Sequence, residues 1–269
     1  MLKLAALLLA CAAAAQAQTA AEAPPQLQRL DVALRPFVEV DTCLPVNVLI
    51  QPNKTAAGPL QGYTLSLEAE PQVLQALSYN VSNDVLHIEN SADFNTSRPI
   101  KIIVSLPPNR LQAVNHQGTG AELLIAPGFD VPLFVAAAAF GAGRLYVNGM
   151  RAQNVTLQMS GTGDTVLTGS YGTVNVTSTG TGGIYIAGVN DTVTLDLRGV
   201  SNAFVQPGQP SAAITGTAGG INVVQYTDGT CNMASNFRFL QASACAHWSQ
   251  DTGTGLLLPI QSALLASDC

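Results

Sequence analysis

The segments Val155–Gly169 (VTLQMSGTGDTVLTG) and Val174–Gly188 (VNVTSTGTGGIYIAG) align with each other at an offset of nineteen residues. Each begins with alternating apolar and polar residues, turns at Gly-Thr-Gly, and ends in a second short run before a glycine. Alternation with a period of two indicates a β-strand with one buried face. Apolar residues show no 3.6-residue period, so helix is not predicted. The repeating unit is therefore two short strands joined by a glycine turn.

The repeat extends in both directions over Leu133–Tyr226. In the coil before Val155 the offset is twenty residues, and the buried apolar positions are predicted to be Val135, Ala137 and Ala139. In the coil after Val193, Ile214 occupies the equivalent apolar position. Strand units of fixed short period cannot bury their apolar face alone, but stacked coils can. We therefore predict an all-β fold, a parallel β-solenoid (β-helix-like) with coils of about nineteen residues. An antiparallel sandwich with a chance repeat is the alternative.

The N-terminus has the pattern of a secretory signal peptide, predicted to occupy residues 1–17. Lys3 supplies the positive charge, Leu4–Ala15 the apolar core, and Ala15–Ala17 an A-x-A cleavage site. The apolar run is too short to span a bilayer, so no transmembrane segment is predicted. A second interpretation is a lipoprotein signal that places a lipid on Cys11. Either one predicts a secreted or cell-surface protein.

The rest of the chain divides into three predicted regions. Residues 18–28 are rich in Ala, Pro and Gln and form a lead-in, and residues 29–226 form the solenoid. Residues 227–269 are predicted to form a disulfide-bonded cap, because the open end of a solenoid exposes strand edges and core. Leu256–Ile260 is an apolar patch that would dock there. A glycolipid-anchor signal in Gly255–Ala266 is the alternative for this tail.

Charge excludes some partners. The formal net charge is −6 and only 10% of residues are charged, so the chain lacks the basic surface of a nucleic-acid-binding protein. An acidic chain is also repelled by anionic membrane surfaces. No cysteine or histidine spacing indicates a zinc site, and no cofactor is predicted.

Cysteines and sequons fit an oxidising secretory route. Cys43, Cys231, Cys245 and Cys269 remain after the signal, an even number that predicts two disulfides with three possible connectivities. N-x-S/T sequons are enriched and are candidate glycosylation sites. They begin at Asn53, Asn80, Asn95, Asn154, Asn175 and Asn190.

Several short motifs resemble those of the GIN domain family, the "putative autotransporter adhesin head" domain. The matching motifs are Asn83–Ile88, Val104–Pro108, Leu111–Gly120 and the two Gly-Thr-Gly units. The resemblance implies a β-solenoid on an exported, often surface-attached protein. It implies no catalytic residues, because none are established for the family.

The outward positions of the predicted strands form a candidate ligand face. Polysaccharide lyases and hydrolases with solenoid folds group several carboxylates on one face, whereas here Asp196 has only Arg198 beside it. One acid beside one base is more often a surface ion pair. Stacked coils are predicted to align these outward residues in two columns along the solenoid. One column contains Gln158, Thr177, Asp196 and Thr215, and the other contains Ser160, Thr179, Arg198 and Thr217.

These residues favour a non-catalytic function. The face, formed by Thr177, Thr179, Thr194, Asp196, Arg198, Thr215 and Thr217, is predicted to bind an extracellular polysaccharide or matrix component, or to act in adhesion. The alternative is a polysaccharide lyase or hydrolase that uses Asp196 and Arg198. A regular hydroxyl array can also order water or match ice, but Asp196 and Arg198 interrupt it, and threonine suits exposed strand positions by propensity alone.

Overall fold

A computed structural model describes residues 26–54, 62–118, 120–140, 142–219, 222–235 and 244–248. It confirms the predicted parallel β-solenoid, which is nearly all-β and has about 6 turns. The spacing is about 21 residues, slightly longer than the nineteen predicted. Within the described ranges, no helix is long and apolar enough to cross a membrane. The predicted signal, Cys11, Leu256–Ile260, Gly255–Ala266 and most of the lead-in lie outside the described residues.

The described residues form 18 strands and one short helix. In chain order these are β1 (Gln28–Ala33), β2 (Glu39–Cys43), β3 (Val48–Pro52), β4 (Thr64–Ala69), α1 (Pro71–Ala76), β5 (Leu77–Ser82), β6 (Val85–Asn90), β7 (Lys101–Leu106), β8 (Ala113–His116), β9 (Glu122–Ile125), β10 (Asp130–Phe140), β11 (Arg144–Gly161), β12 (Thr165–Ser178), β13 (Ile184–Leu197), β14 (Ala203–Pro207), β15 (Ala213–Ala218), β16 (Val224–Tyr226), β17 (Thr230–Ser235) and β18 (Cys245–His247).

The solenoid has two faces that share one core. The front face consists of β6, β2, β8, β10, the second parts of β11, β12 and β13, then β15 and β17. The back face consists of β7, β3, β9, the first parts of β11, β12 and β13, then β14, β16 and β18. The long strands β11, β12 and β13 belong to both faces, and the pairings between them shift register where they pass from one face to the other.

The central coils have the predicted register. Val155 pairs with Val174, and Val174 pairs with Val193, in parallel strands. All three side chains have 0% relative exposure, so each coil buries the same position. Beyond these coils the period changes, because Val193 pairs with Ile214 and Phe134 pairs with Val155.

The predicted apolar column one coil earlier is wrong by one residue. In this part of β10 the side chains of Phe134, Ala136 and Ala138 are buried, whereas Val135 pairs with the outward Thr156. Ala137 likewise pairs with Gln158 on the outer surface. Side chains alternate between faces, so a one-residue error exchanges inside and outside. The run of alanines offers no contrast between the faces that would have fixed the register.

The first coil in sequence is not the first in the stack. β2 pairs in parallel with both β6 and β8, and β3 pairs with both β7 and β9. The β2–β3 coil therefore lies between two coils that follow it in the chain. Antiparallel strands then cover the N-terminal end: β5 pairs with β6, and β4 pairs with β7 and β1.

The described part of the predicted cap forms a further coil. β17 pairs in parallel with β15, β18 pairs in parallel with β16, and a disulfide joins Cys231 to Cys245. The predicted second disulfide is not formed by Cys43, which carries an exposed free thiol 3.6 Å from the carbonyl oxygen of Gln117. Cys269 lies outside the described residues.

Candidate functional site

The predicted ligand face lies on the outside of the front face. The side chains of Thr177, Thr179 and Arg198 are exposed, and those of Thr194, Asp196, Thr215 and Thr217 are half-buried. These outward positions alternate with core residues such as Val176 and Leu195, which have relative exposures of 2% and 0%. The structure therefore places the predicted residues on a single solvent-facing surface.

Two predicted pairings within this face are wrong, that of Asp196 with Thr215 and that of Arg198 with Thr217. Asp196 pairs with Thr177 on one side, as expected, but with Thr217 rather than Thr215 on the other. Thr215 instead pairs with Thr194. The coil between these strands is longer than the nineteen-residue coils before it, so extrapolating the nineteen-residue offset misplaces the column.

The Asp196 carboxylate is already occupied by protein donors. Arg198 donates from Nε at 2.9 Å and from Nη2 at 2.6 Å to Oδ2, and Thr217 Oγ1 donates at 2.8 Å to Oδ1. The hydrogen bonds from Arg198, and then from Thr217, lower the pKa of Asp196 below 3.8. A carboxyl group held in its ionised form is a poor general acid. The side chains next to it on adjacent coils are those of Thr177 and Thr217, so no second carboxylate adjoins it there.

A groove beside this ion pair brings several predicted residues together. It has a volume of about 450 Å³, and we call it the front groove. Thr177 and Thr179 line it with Gln158 and Ser160 of the preceding coil, and Ala137 extends it one coil further. Among the described residues that line it, the polar groups are hydroxyls and one amide, without a charged side chain. Such a surface can exchange hydrogen bonds with a polyhydroxylated ligand.

A second groove, of about 520 Å³, lies at the other end of the same strands and was not predicted. We call it the corner groove, because it follows the corner where the chain enters the front face. Its polar lining includes Asp130, Arg151, Gln153, Ser170, Asn190 and Asp191. A charged residue at matching positions of successive coils, Asp130 and then Arg151, was the signal in the sequence that could have revealed it.

The candidate glycosylation sites differ in accessibility. Asn80, Asn95, Asn154 and Asn175 are exposed, whereas Asn53 and Asn190 are half-buried. The amide of Asn190 donates to Ser170 Oγ at 3.4 Å within the corner groove. Glycosylation itself remains a prediction. Within the described residues, no group of three or more His, Cys, Asp or Glu side chains is arranged to hold a metal ion.

Comparison with known proteins identifies the fold. Residues 61–228 match the family model described as "Putative auto-transporter adhesin, head GIN domain". A putative adhesin from Bacteroides fragilis has a similar structure, with a TM-score of 0.67 and 16% identity over 78% of this chain and 93% of that chain. A putative lipid binding protein from Parabacteroides distasonis has a TM-score of 0.55 and 11% identity over 82% of this chain and 96% of that one. No curated protein matches the sequence.

Proposed function

We propose a non-catalytic, adhesin-like binding function for this chain, which belongs to the head GIN domain family of putative auto-transporter adhesins. The B. fragilis structure that shares the fold is also named a putative adhesin. The proposed place of action is outside the cell, with residues 1–17 as the export signal and the protein either secreted or held at the cell surface. Export would also expose the sequons to glycosylation.

The proposed ligand is an extracellular polysaccharide or a polysaccharide-containing matrix component. The front groove carries this proposal, because Gln158, Ser160, Thr177 and Thr179 line one groove of about 450 Å³. Neighbouring coils place these groups about 4.8 Å apart, the spacing of strands in a sheet. A repeating set of hydroxyl and amide groups suits a ligand that itself repeats hydroxyl groups along its length.

The geometry around Asp196 favours binding over bond cleavage. Glycoside hydrolysis generally uses two carboxyl groups about 5–9.5 Å apart, one of which donates a proton. Asp196 accepts hydrogen bonds on both oxygens, from Arg198 and Thr217. The lowered pKa of Asp196 also keeps this group ionised at neutral pH. In this proposal Asp196 and Arg198 form an ion pair on the strand next to Thr177 and take no catalytic part.

Binding of the protein to polysaccharides and cleavage of those polysaccharides should be measured together, on a glycan array of neutral and anionic polysaccharides. We expect the protein to bind neutral polysaccharides without releasing new reducing ends. Thr177→Trp, which fills the front groove, should weaken binding at least ten-fold. Gln206→Trp adds the same side chain at an exposed position of the back face and is the matched control.

Two outcomes contradict the proposal. The first is a natively folded protein that binds no neutral glycan on the array. The second is polysaccharide turnover that Asp196→Ala abolishes, because this would make Asp196 a catalytic residue. Binding that persists in Asp196→Ala without cleavage supports the binding function.

A further inference from the structure

The corner groove differs from the front groove in having charged side chains. It is lined by residues of β10, β11, β12 and β13, so it crosses four successive strands of the front face. Three strand spacings of about 4.8 Å give it a length of about 14 Å along the stack. This length accommodates an oligomeric ligand lying across the coils.

The backbone keeps the floor of the corner groove open. The register between β12 and β13 shifts between Thr168 and Tyr171, and again between Tyr171 and Thr173, where the strands enter the front face. Gly172 lies at this point and has no side chain. A Cβ atom there would be 2.6 Å from the carbonyl oxygen of Gln153 and 3.5 Å from Asp191 Oδ2. A glycine at this position therefore lets the strands approach closely without a side chain beside Asp191.

The charged groups of the corner groove are accessible to a ligand. Arg151 Nε is 3.9 Å from Asp130 Oδ2, and the two side chains are 73% and 70% exposed. By comparison, Arg198 contacts Asp196 at 2.6 Å. A long, solvent-exposed ion pair contributes little to stability. The donor and acceptor groups of this pair therefore remain open to solvent.

The chemistry of the lining indicates the class of ligand. Arg151 provides donors, Asp130 and Asp191 provide acceptors, and Gln153 provides both, all within one groove of about 520 Å³. Each hydroxyl of a sugar can donate and accept at once, so a saccharide can satisfy this alternating set. Two carboxylates against one guanidinium, on a chain of net charge −6, disfavour anionic polymers.

We infer that the corner groove is a second saccharide-binding site, which takes a neutral oligosaccharide through Arg151, Asp130 and Asp191. The inference deepens the proposed function but concerns a different set of residues. The two grooves lie at opposite ends of the same strands. From Gln153 to Gln158 along β11 the distance is about 16 Å at about 3.3 Å per residue. Occupation of each groove can therefore be observed separately.

The test uses amide chemical shifts of the full chain, produced in a host that does not glycosylate, during titration with cellohexaose, mannohexaose and xylohexaose. We expect at least one hexasaccharide to shift the amide signals of Asp130, Val131 and residues 151–153 and 170–172. Arg151→Ala and Ser170→Trp should each weaken that binding at least ten-fold. Gln206→Trp on the back face is the control and should leave it unchanged.

The outcomes separate this inference from the proposed function. Shifts confined to residues 158–160 and 177–179, abolished by Thr177→Trp, would overturn the inference and leave the front groove supported. Shifts at the corner groove alone would support the inference and contradict the placement of the ligand in the front groove. No shift with any of the three sugars, or stronger binding of oligogalacturonate or hexalysine at the corner groove, would also overturn the inference.

Discussion

Thr217 donates a hydrogen bond of 2.8 Å from Oγ1 to Oδ1 of Asp196, and the two residues lie on adjacent coils. This bond joins two coils through outward-facing side chains, in addition to the backbone pairing. Together with the hydrogen bonds from Arg198, it lowers the pKa of Asp196. The effect of these hydrogen bonds on the pKa of Asp196 can be measured by titration.

Asp196 should titrate below 3.8 in carboxyl NMR experiments. Arg198→Ala should raise its pKa more than Thr217→Ala does, because the hydrogen bond from Arg198 is the larger cause. A lowered pKa in the folded state favours folding above the unfolded pKa, and this contribution is lost as the pH falls through the folded value. A pKa at or above the ordinary aspartate value in the wild-type protein would contradict this geometry.

His116 should make stability depend on pH. Its side chain is fully buried, and burial lowers its pKa below 6.5 against the opposing hydrogen bonds with Ala121 and Thr42. Between the folded pKa and 6.5 the unfolded state binds more protons, so the free energy of unfolding should rise with pH. One proton corresponds to at most about 1.4 kcal/mol per pH unit.

Urea titrations from pH 5 to 7 measure this slope. His116→Gln should reduce it, whereas His247→Gln, at an exposed position, controls for the loss of a histidine. An unchanged slope in a folded His116→Gln protein would show that another group is responsible.

Gly188 and Gly120 provide a matched pair of substitutions. Both have positive φ, 88° and 76°, so alanine at either site should cost about 1–2 kcal/mol in backbone strain. At Gly188 the new Cβ would also overlap the carbonyl oxygen of Gly169 on the preceding coil, whereas at Gly120 no atom of the described residues lies within 4 Å. We expect Gly188→Ala to lower the free energy of unfolding by about 1–3 kcal/mol more than Gly120→Ala. Equal effects would mean that the coils do not approach this closely.

The disulfide between Cys231 and Cys245 should stabilise the last described coil locally. It closes a loop with a sequence separation of 14, for which chain entropy gives about 3 kcal/mol. Because each coil of a solenoid contacts only its neighbours, the loss should remain near that end. In a Cys231→Ser/Cys245→Ser protein, hydrogen exchange should accelerate in β17 and β18 and change little in β12. Acceleration throughout the chain would show that the end coil supports the whole fold.

The sequence predicted the register wherever the coil length stayed constant. Val155, Val174 and Val193 stack as expected because two consecutive coils have the same length. Prediction failed at Val135 and at Thr215, where the coil length changes. Alternation within a strand does not show how many residues the preceding turn contains, so it does not define the register with the next coil. The alternation within each strand therefore predicted the strands correctly, whereas the residue offset between coils was predicted incorrectly where the connecting turn is longer.

Other features depend on packing that no local pattern specifies. The position of the β2–β3 coil between β6–β7 and β8–β9 is set by tertiary pairing, which the order of the chain does not encode. The corner groove arises where strands shift register beside Gly172, and this irregular corner places Asp191 in the same groove as Arg151. The matching positions of Asp130 and Arg151 were its one signal in the sequence. The ion pair of Asp196 and Arg198, two residues apart on one strand, was predictable because alternate residues share a face.

Cysteine cross-linking tests the stacking of equivalent residues most directly. In a Cys43→Ser background, cysteines would replace Thr156, Asn175 and Thr194 in pairs, and a thiol reagent spanning one strand spacing, about 4.8 Å, would be added. The structure pairs Thr156 with Asn175 and Asn175 with Thr194, so both of these pairs should cross-link in the native state. The pair at 156 and 194 is two spacings apart and should not. Efficient cross-linking of 156 with 194, or none between 175 and 194 in natively folded protein, would contradict the solenoid and both proposed grooves.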